Sequence, residues 1–225
     1  MNILCIDTSG VACSAAIAKD TKILTEQYTN NGLTHSATLM SLIDGCFLRA
    51  GIKPAQLDLI VLTVGPGSFT GLRIGMSTAK ALAHSADCPI IQVSTLEALA
   101  LPYVWAESTA VCAMIDARHD RVYAGIWCGK KSVLPEGVYT LDEISGYLQE
   151  KGDVLLTGDG ADAYGKRLQE MYPHVKIAPP ALRYPRASVL AMAALEKAAA
   201  GQAVSAYDAA LEYMMASQAE RNLKK

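Results

Sequence analysis

The sequence predicts an α/β protein built of two similar halves, each a mixed β-sheet with helices. Three observations predict it. Short apolar strand-like runs alternate with helix-period segments along the chain. A strand ending in Ile-Asp opens a hairpin twice, at Ile6-Asp7 and at Ile115-Asp116. A strand runs through a glycine turn into a helix twice, at Gly65-Pro66-Gly67 and at Gly158-Asp159-Gly160.

The elements follow in order. Residues 3–7 and 12–18 read as strands around the turn Thr8-Ser9-Gly10, and 22–28 as a third. From 35 to 50 the residues Leu39, Met40, Leu42, Ile43, Cys46 and Phe47 recur at helical spacing, and Gly51 stops the helix. The nearly continuous apolar run 57–64 is a buried parallel strand. The glycine-rich stretch 65–71 leads into a helix ending near 85. A short strand at 89–93 precedes Ser94, which caps a helix carrying Glu97. The pattern then restarts with strands at 111–116 and 122–128, a helix at 139–150, a strand at 154–156 and a helix to about 171. Pro179, Pro180 and Pro185 mark irregular chain before an alanine-rich helix at 188–200. With Asp7 set on Asp116, Ile6 falls on Ile115, Ala15 on Ala124 and Ile17 on Ile126, with no gap.

A duplicated hairpin ending in Asp, followed by strand, glycine loop and helix, suggests two ribonuclease-H-like halves. That is the actin-like (ASKHA) layout of actin, sugar kinases and Hsp70. The expected division is 1–102 for the first half, with a helix at 188–202 packing back on it, 103–187 for a smaller second half, and 203–225 for a C-terminal tail.

Bulk properties narrow the function. The chain has 225 residues and a net charge of −2, with no basic run beyond Lys224-Lys225. A protein that grips nucleic acid unaided needs clustered Lys and Arg. No apolar run approaches the roughly 20 residues of a membrane span. The start Met1-Asn2-Ile3-Leu4 enters a strand pattern at once, without the features of a signal peptide. The six cysteines form no C-x-x-C and most sit in apolar surroundings, as reduced, buried thiols of a cytoplasmic protein do.

Two segments have the residue types for chemistry. Asp7, Thr8 and Ser9 at a hairpin tip offer backbone N–H groups, hydroxyls and a carboxylate to a nucleotide phosphate and its Mg²⁺. They are equally the residues that cap turns. The stretch Gly65 to Gly75, GPGSFTGLRIG, lacks both the Gly-Lys-Ser/Thr ending of a P-loop and the G-x-G-x-x-G spacing of a dinucleotide fingerprint. Its glycines favour a tight strand-to-helix turn with close helix packing at Gly71 and Gly75. His35, His84, His119 and His174 form no H-x-x-x-H pair, so no metal site is expected. No nucleophile-elbow motif is present.

The opening Ile3-Leu4-Cys5-Ile6-Asp7-Thr8-Ser9, the stretch 65–75, Val93-Ser94-Thr95-Leu96-Glu97-Ala98-Leu99-Ala100 and Ile115-Asp116-Ala117-Arg118 together resemble the TsaB (YeaZ) family of tRNA threonylcarbamoyladenosine biosynthesis proteins. The resemblance runs from residue 3 to about 221. It departs at Met214-Met215, where the family usually has Leu-Arg. The resemblance implies a non-catalytic scaffold that dimerises with the larger catalytic relative TsaD, in a complex that includes the ATPase TsaE. That complex transfers a threonylcarbamoyl group to the adenosine beside the anticodon of tRNAs reading ANN codons. It implies no tightly bound cofactor, with ATP or ADP at the subunit junction. It implies that tRNA is met through the complex, and that the chain forms a homodimer when the partner is absent. Mapped here, the partner interface is a helical bundle using His35, Leu39, Leu42, Ile43 and Cys46 of the first helix and Phe69, Leu72, Arg73, Met76 and Lys80 of the second. The alternatives from other classes are an actin-like ATPase or phosphotransferase acting alone, and a peptidase, since the wider family has carried a glycoprotease label.

Overall fold

The computed structural model describes residues 1–105, 108–149 and 152–215. The chain divides into two compact units, Met1–Ala98 with Pro185–Glu212, and Leu99–Tyr184 with the chain from Tyr213.

The first unit holds β1 (Asn2–Asp7), β2 (Cys13–Lys19), β3 (Lys22–Thr29), α1 (His35–Ala50), β4 (Leu59–Thr63), α2 (Phe69–Ala86), β5 (Ile90–Val93) and the start of α3 (Thr95–Ala100). Its strands lie in the order β3-β2-β1-β4-β5. The hairpins β1–β2 and β2–β3 are antiparallel, while β1, β4 and β5 run parallel. β4 is buried along its whole length, as a central parallel strand flanked on both faces must be. On one face α1 sets Leu39, Ile43, Cys46 and Phe47 against Leu4, Ile6, Ile17 and Ile60. This i, i+4, i+7, i+8 stripe is the buried side of an amphipathic helix. Gly51 ends α1 at φ 67°, its N–H donating to Phe47 O at 3.0 Å.

The second unit holds β6 (Ala110–Asp116), β7 (Arg121–Cys128), β8 (Lys131–Thr140), α4 (Leu141–Gln149), β9 (Val154–Thr157), α5 (Asp159–Met171) and β10 (Val175–Ile177). Read as β8-β7-β6-β9-β10, its sheet repeats the first strand for strand, with the same parallel and antiparallel senses. Each unit is thus ribonuclease-H-like, and two in one chain make the actin-like fold class.

The repeat is not gapless. Ile6 pairs with Ala15, so an unbroken offset would pair Ile115 with Ala124; Ile115 instead pairs with Tyr123. The second hairpin is one residue shorter because Arg118, His119 and Asp120 all take positive φ and close a tight tip. The helix expected at 139–150 begins only at Leu141. Before it lies β8, an edge strand whose Pro135 and Gly137 hid the strand period. Thr140 and Glu143 cap α4 reciprocally: Thr140 N donates to Glu143 Oε2 at 2.7 Å, and Glu143 N to Thr140 Oγ1 at 3.2 Å.

The chain then returns to the first unit with α6 (Ala187–Ala199), which lies across β1, β2, β4 and β5. Its small buried residues Ala187, Ala191 and Ala194 permit close approach to the sheet. Glu26 anchors its start, accepting from Ser188 N at 2.9 Å and Arg186 Nη2 at 2.7 Å, while the Arg186 guanidinium stacks 4.7 Å over Tyr28. Residues 203–212, expected as part of a tail, strap the first unit. Val204 and Ile90 exchange backbone hydrogen bonds of 2.8 and 2.9 Å on the open side of β5, and Glu212 N donates to Val64 O at 2.9 Å. The expected tail residues 216–225, including Lys224-Lys225, lie outside the described residues.

Among the described residues no helix is long and apolar enough to cross a membrane. All six cysteines are free and five are buried. Burial pushes the Cys112 thiol up to about 12 and those of Cys13, Cys46 and Cys88 to about 11, which keeps them protonated and weakly reactive.

Candidate functional site

The two segments singled out in the sequence meet in the first unit. β1 carries Asp7 to the end of the sheet, and the chain turns through Thr8, Ser9 and Gly10 beneath the start of α2. Asp7, Thr8 and Ser9 are at most 1% exposed. Oδ1 of Asp7 accepts from Ser9 Oγ and from Thr63 Oγ1, each at 2.7 Å, and from Ser9 N at 3.4 Å. Oδ2 is buried with no partner in the chain. Burial pushes the Asp7 carboxyl above the ordinary carboxylate range, against the pull of the Ser9 and Thr63 hydrogen bonds and the nearby His35.

The glycine stretch explains that burial. A Cβ on Gly67 would lie within 3.0 Å of Ser9 O, on Gly71 of Thr8 O, and on Gly75 of Thr8 Oγ1. No side chain fits between α2 and the tip, so G-x-G-x-x-x-G-x-x-x-G here is a packing sequence. Ser68 completes the joint. Its N–H donates to Ser9 O at 2.7 Å, and its Oγ accepts from Gly71 N at 3.2 Å as the N-cap of α2. Two backbone donors of this loop, Ser9 N and Ser68 N, are spent inside the chain. Thr63 was not singled out from sequence; the available signal was a hydroxyl ending an otherwise apolar strand.

His35 belongs to the same joint. Its Nε2 lies 2.9 Å from Gly10 O, its ring fills the space beside Gly71, and its Nδ1 is buried without a partner. It ties α1, α2 and the hairpin tip together.

The residues expected at a partner interface separate into two sets. Leu39, Ile43, Cys46 and Leu72 are at most 1% exposed and belong to the interior of the first unit. Met76 is buried and Leu42 packs on the same core. Leu39, Ile43, Cys46, Leu72 and Met76 are interior residues of the first unit, whereas Leu42 is only half-buried. Phe69 and Arg73 are exposed, with the Arg73 guanidinium 3.8 Å over the Phe69 ring. Lys80 is half-buried and donates to Tyr207 O at 3.4 Å. The outer surface of α1 instead presents Met40 and Leu48, with Leu33 just before the helix. Met40 and Leu48 lie off the inward stripe, the signal that could have found them.

In the second unit Asp116 occupies the equivalent strand end but is half-exposed. Its Oδ1 accepts from Arg118 N at 2.8 Å and Tyr164 OH at 3.0 Å. Its own N–H donates to Asp159 Oδ1 at 3.0 Å. Burial raises the Asp159 carboxyl above its usual range. Among the described residues no three His, Cys, Asp or Glu side chains gather as metal ligands.

The family model described as "TsaD: tRNA N6-adenosine threonylcarbamoyltransferase" matches residues 29–223. The "tRNA threonylcarbamoyladenosine biosynthesis protein TsaB" of Bacillus subtilis is 32% identical over 89% of this chain and 90% of its own length. The chain belongs to the TsaB (YeaZ) family. The TsaB of Escherichia coli is 31% identical over 73% of this chain and 74% of its own. Among solved structures, YeaZ from Pseudomonas aeruginosa superposes with a TM-score of 0.75 at 26% identity, covering 94% of this chain and 99% of that one. The stretch 65–75 that suggested TsaB is thus the segment that seals the hairpin tip.

Proposed function

We propose that this chain serves threonylcarbamoyladenosine formation on tRNA as a non-catalytic scaffold of the modifying complex. It docks the outer faces of α1 and α2 on the catalytic relative TsaD and works alongside the ATPase TsaE. By binding one arrangement of its partner more tightly than others, it shifts the partner toward the active state. ATP or ADP belongs at the subunit junction, tRNA is met through the complex, the chain pairs with itself when TsaD is absent, and the setting is cytoplasmic. The observation that carries the non-catalytic role is the state of Asp7, Thr8 and Ser9: all three are buried, and Asp7 and Ser9 are hydrogen-bonded within the chain. The relatives' shared name supplies the pathway.

The test is reconstitution. tRNA, threonine, bicarbonate, ATP, the adenylate-forming enzyme, TsaD and TsaE are mixed with and without this chain, and threonylcarbamoyladenosine is quantified by mass spectrometry. Modification should require the chain and fail with the chain alone; equal modification without it would refute the role. Met40→Asp should abolish modification while leaving the thermal midpoint unchanged, because Met40 is 49% exposed. Ile43→Asp should unfold the protein instead, since it buries an unpaired charge. Full activity of a folded Met40→Asp protein would move the interface elsewhere.

A further inference from the structure

Phe69, Arg73, Lys80 and His84 recur at i, i+4, i+11 and i+15 of α2. On a helix of 3.6 residues per turn these positions fall within about 60° of one another and form one ridge. The ridge runs along the outer surface of α2, and its far end meets the strap 203–212. Lys80 Nζ donates to Tyr207 O at 3.4 Å. The Tyr207 and His84 rings meet edge to face, with centroids 5.7 Å apart and planes at 74°. Tyr207 is nevertheless 78% exposed. Its backbone is fixed from both sides. Ser205 Oγ accepts from Tyr207 N at 3.2 Å and donates to Asp208 Oδ2 at 2.6 Å. Val204 is bonded to β5, and Ala209 is buried in the core of the first unit. An aromatic ring is thus held out to solvent on an anchored turn.

We propose that Tyr207 is an anchor of the docking surface for TsaD, extending that surface from the outer faces of α1 and α2 onto the strap. The inference rests on the docking reading above. Exposed aromatics held in place serve interfaces as hot spots, because a ring already fixed loses little freedom when a partner covers it. The surface is continuous: Phe69 under the Arg73 guanidinium marks one end of the ridge, and Tyr207 against His84 marks the other. The occupant that fits a ridge of this form is an opposing helix, whose side chains pack ridge into groove. The family model for TsaD spans residues 29–223, which include α1, α2 and the strap, so the catalytic relative brings matching helices to oppose them.

Binding of the full chain to TsaD is measured by calorimetry. Tyr207→Ala should weaken it roughly tenfold or more, the loss typical of an aromatic anchor, with the thermal midpoint unchanged. Tyr207→Phe should bind as the unaltered chain does, because the hydroxyl reaches His84 Nδ1 only at 3.4 Å. His84→Ala, which frees the ring without removing it, should weaken binding several-fold. Hydroxyl-radical labelling of the unaltered chain, read by mass spectrometry, tests the same point without a substitution: Tyr207 should lose its labelling when TsaD binds. If Met40→Asp abolishes binding while Tyr207→Ala binds normally and Tyr207 stays labelled in the complex, the anchor is wrong and the docking reading stands. If neither substitution weakens binding, both fall. If Tyr207→Ala breaks self-association but leaves TsaD binding intact, the strap belongs to an interface between copies of this chain, and the assignment to TsaD is overturned.

Discussion

The two units place an aspartate at the same point of the same topology and treat it in opposite ways. In the first, residues 64–68 intervene between β4 and α2, and this length lets α2 reach over the hairpin tip. Asp7 is sealed in, with Ser9 and Thr63 as its partners. In the second, Gly158 alone separates β9 from α5, and α5 starts lower, against Met114. Asp116 stays half-exposed and bonds Tyr164 and Arg118. Topology fixes where the acid sits, while the loop after the next parallel strand decides whether water reaches it.

The sharpest way to break the contrast is to wedge the joint apart. Gly75→Val should cost about 3 kcal/mol or more, because α2 cannot approach Thr8 with a side chain in the way. Urea denaturation would measure it, and a loss under 1 kcal/mol would mean the joint is loose. Thr63→Val keeps shape but removes a donor from buried Asp7 Oδ1, and should cost about 1–3 kcal/mol.

Asp7→Asn sharpens the same comparison through pH. Burial raises the folded-state carboxyl above its unfolded value, so the protonated form favours folding. That contribution is complete below the ordinary carboxylate range and is lost as pH rises through the raised folded value. The urea midpoint of the unaltered chain should therefore fall across that rise, and the Asn variant should not share the fall. Identical profiles would show that Asp7 contributes no pH dependence. The smallest effect has the opposite sign. Gly146→Ala in α4 meets nothing within 4 Å and should stabilise by about 0.5–1 kcal/mol, read as a small rise in thermal midpoint.

The order of elements could be read from sequence because hydrophobic period and glycine punctuation are local signals. β8 and β10 could not. Pro135 and Gly137 interrupt the first, and Val175–Ile177 is too short to show a period. The stripe Leu39, Ile43, Cys46 identified α1 correctly, but a stripe marks an apolar face without naming what covers it, and here the sheet does. Likewise Asp7-Thr8-Ser9 has the composition of a phosphate loop. Only the fold, by bringing α2 down on Thr8 and Ser9, shows that the tip is buried and that the donors of Ser9 are already engaged.

The first unit is assembled from both ends of the chain, 1–98 and 185–212, with the second unit between them. Synthesis runs in one direction at about 5–20 residues per second, so residues 99–184 delay completion by roughly 4–17 s. During that interval Ile3 and Cys5 lack the cover of α6, and the edge of β5 lacks Val204. The bulk of the second unit, Leu99 to Tyr184, can fold on the ribosome before the first closes, leaving an unpaired strand edge on the nascent chain for a chaperone to shield.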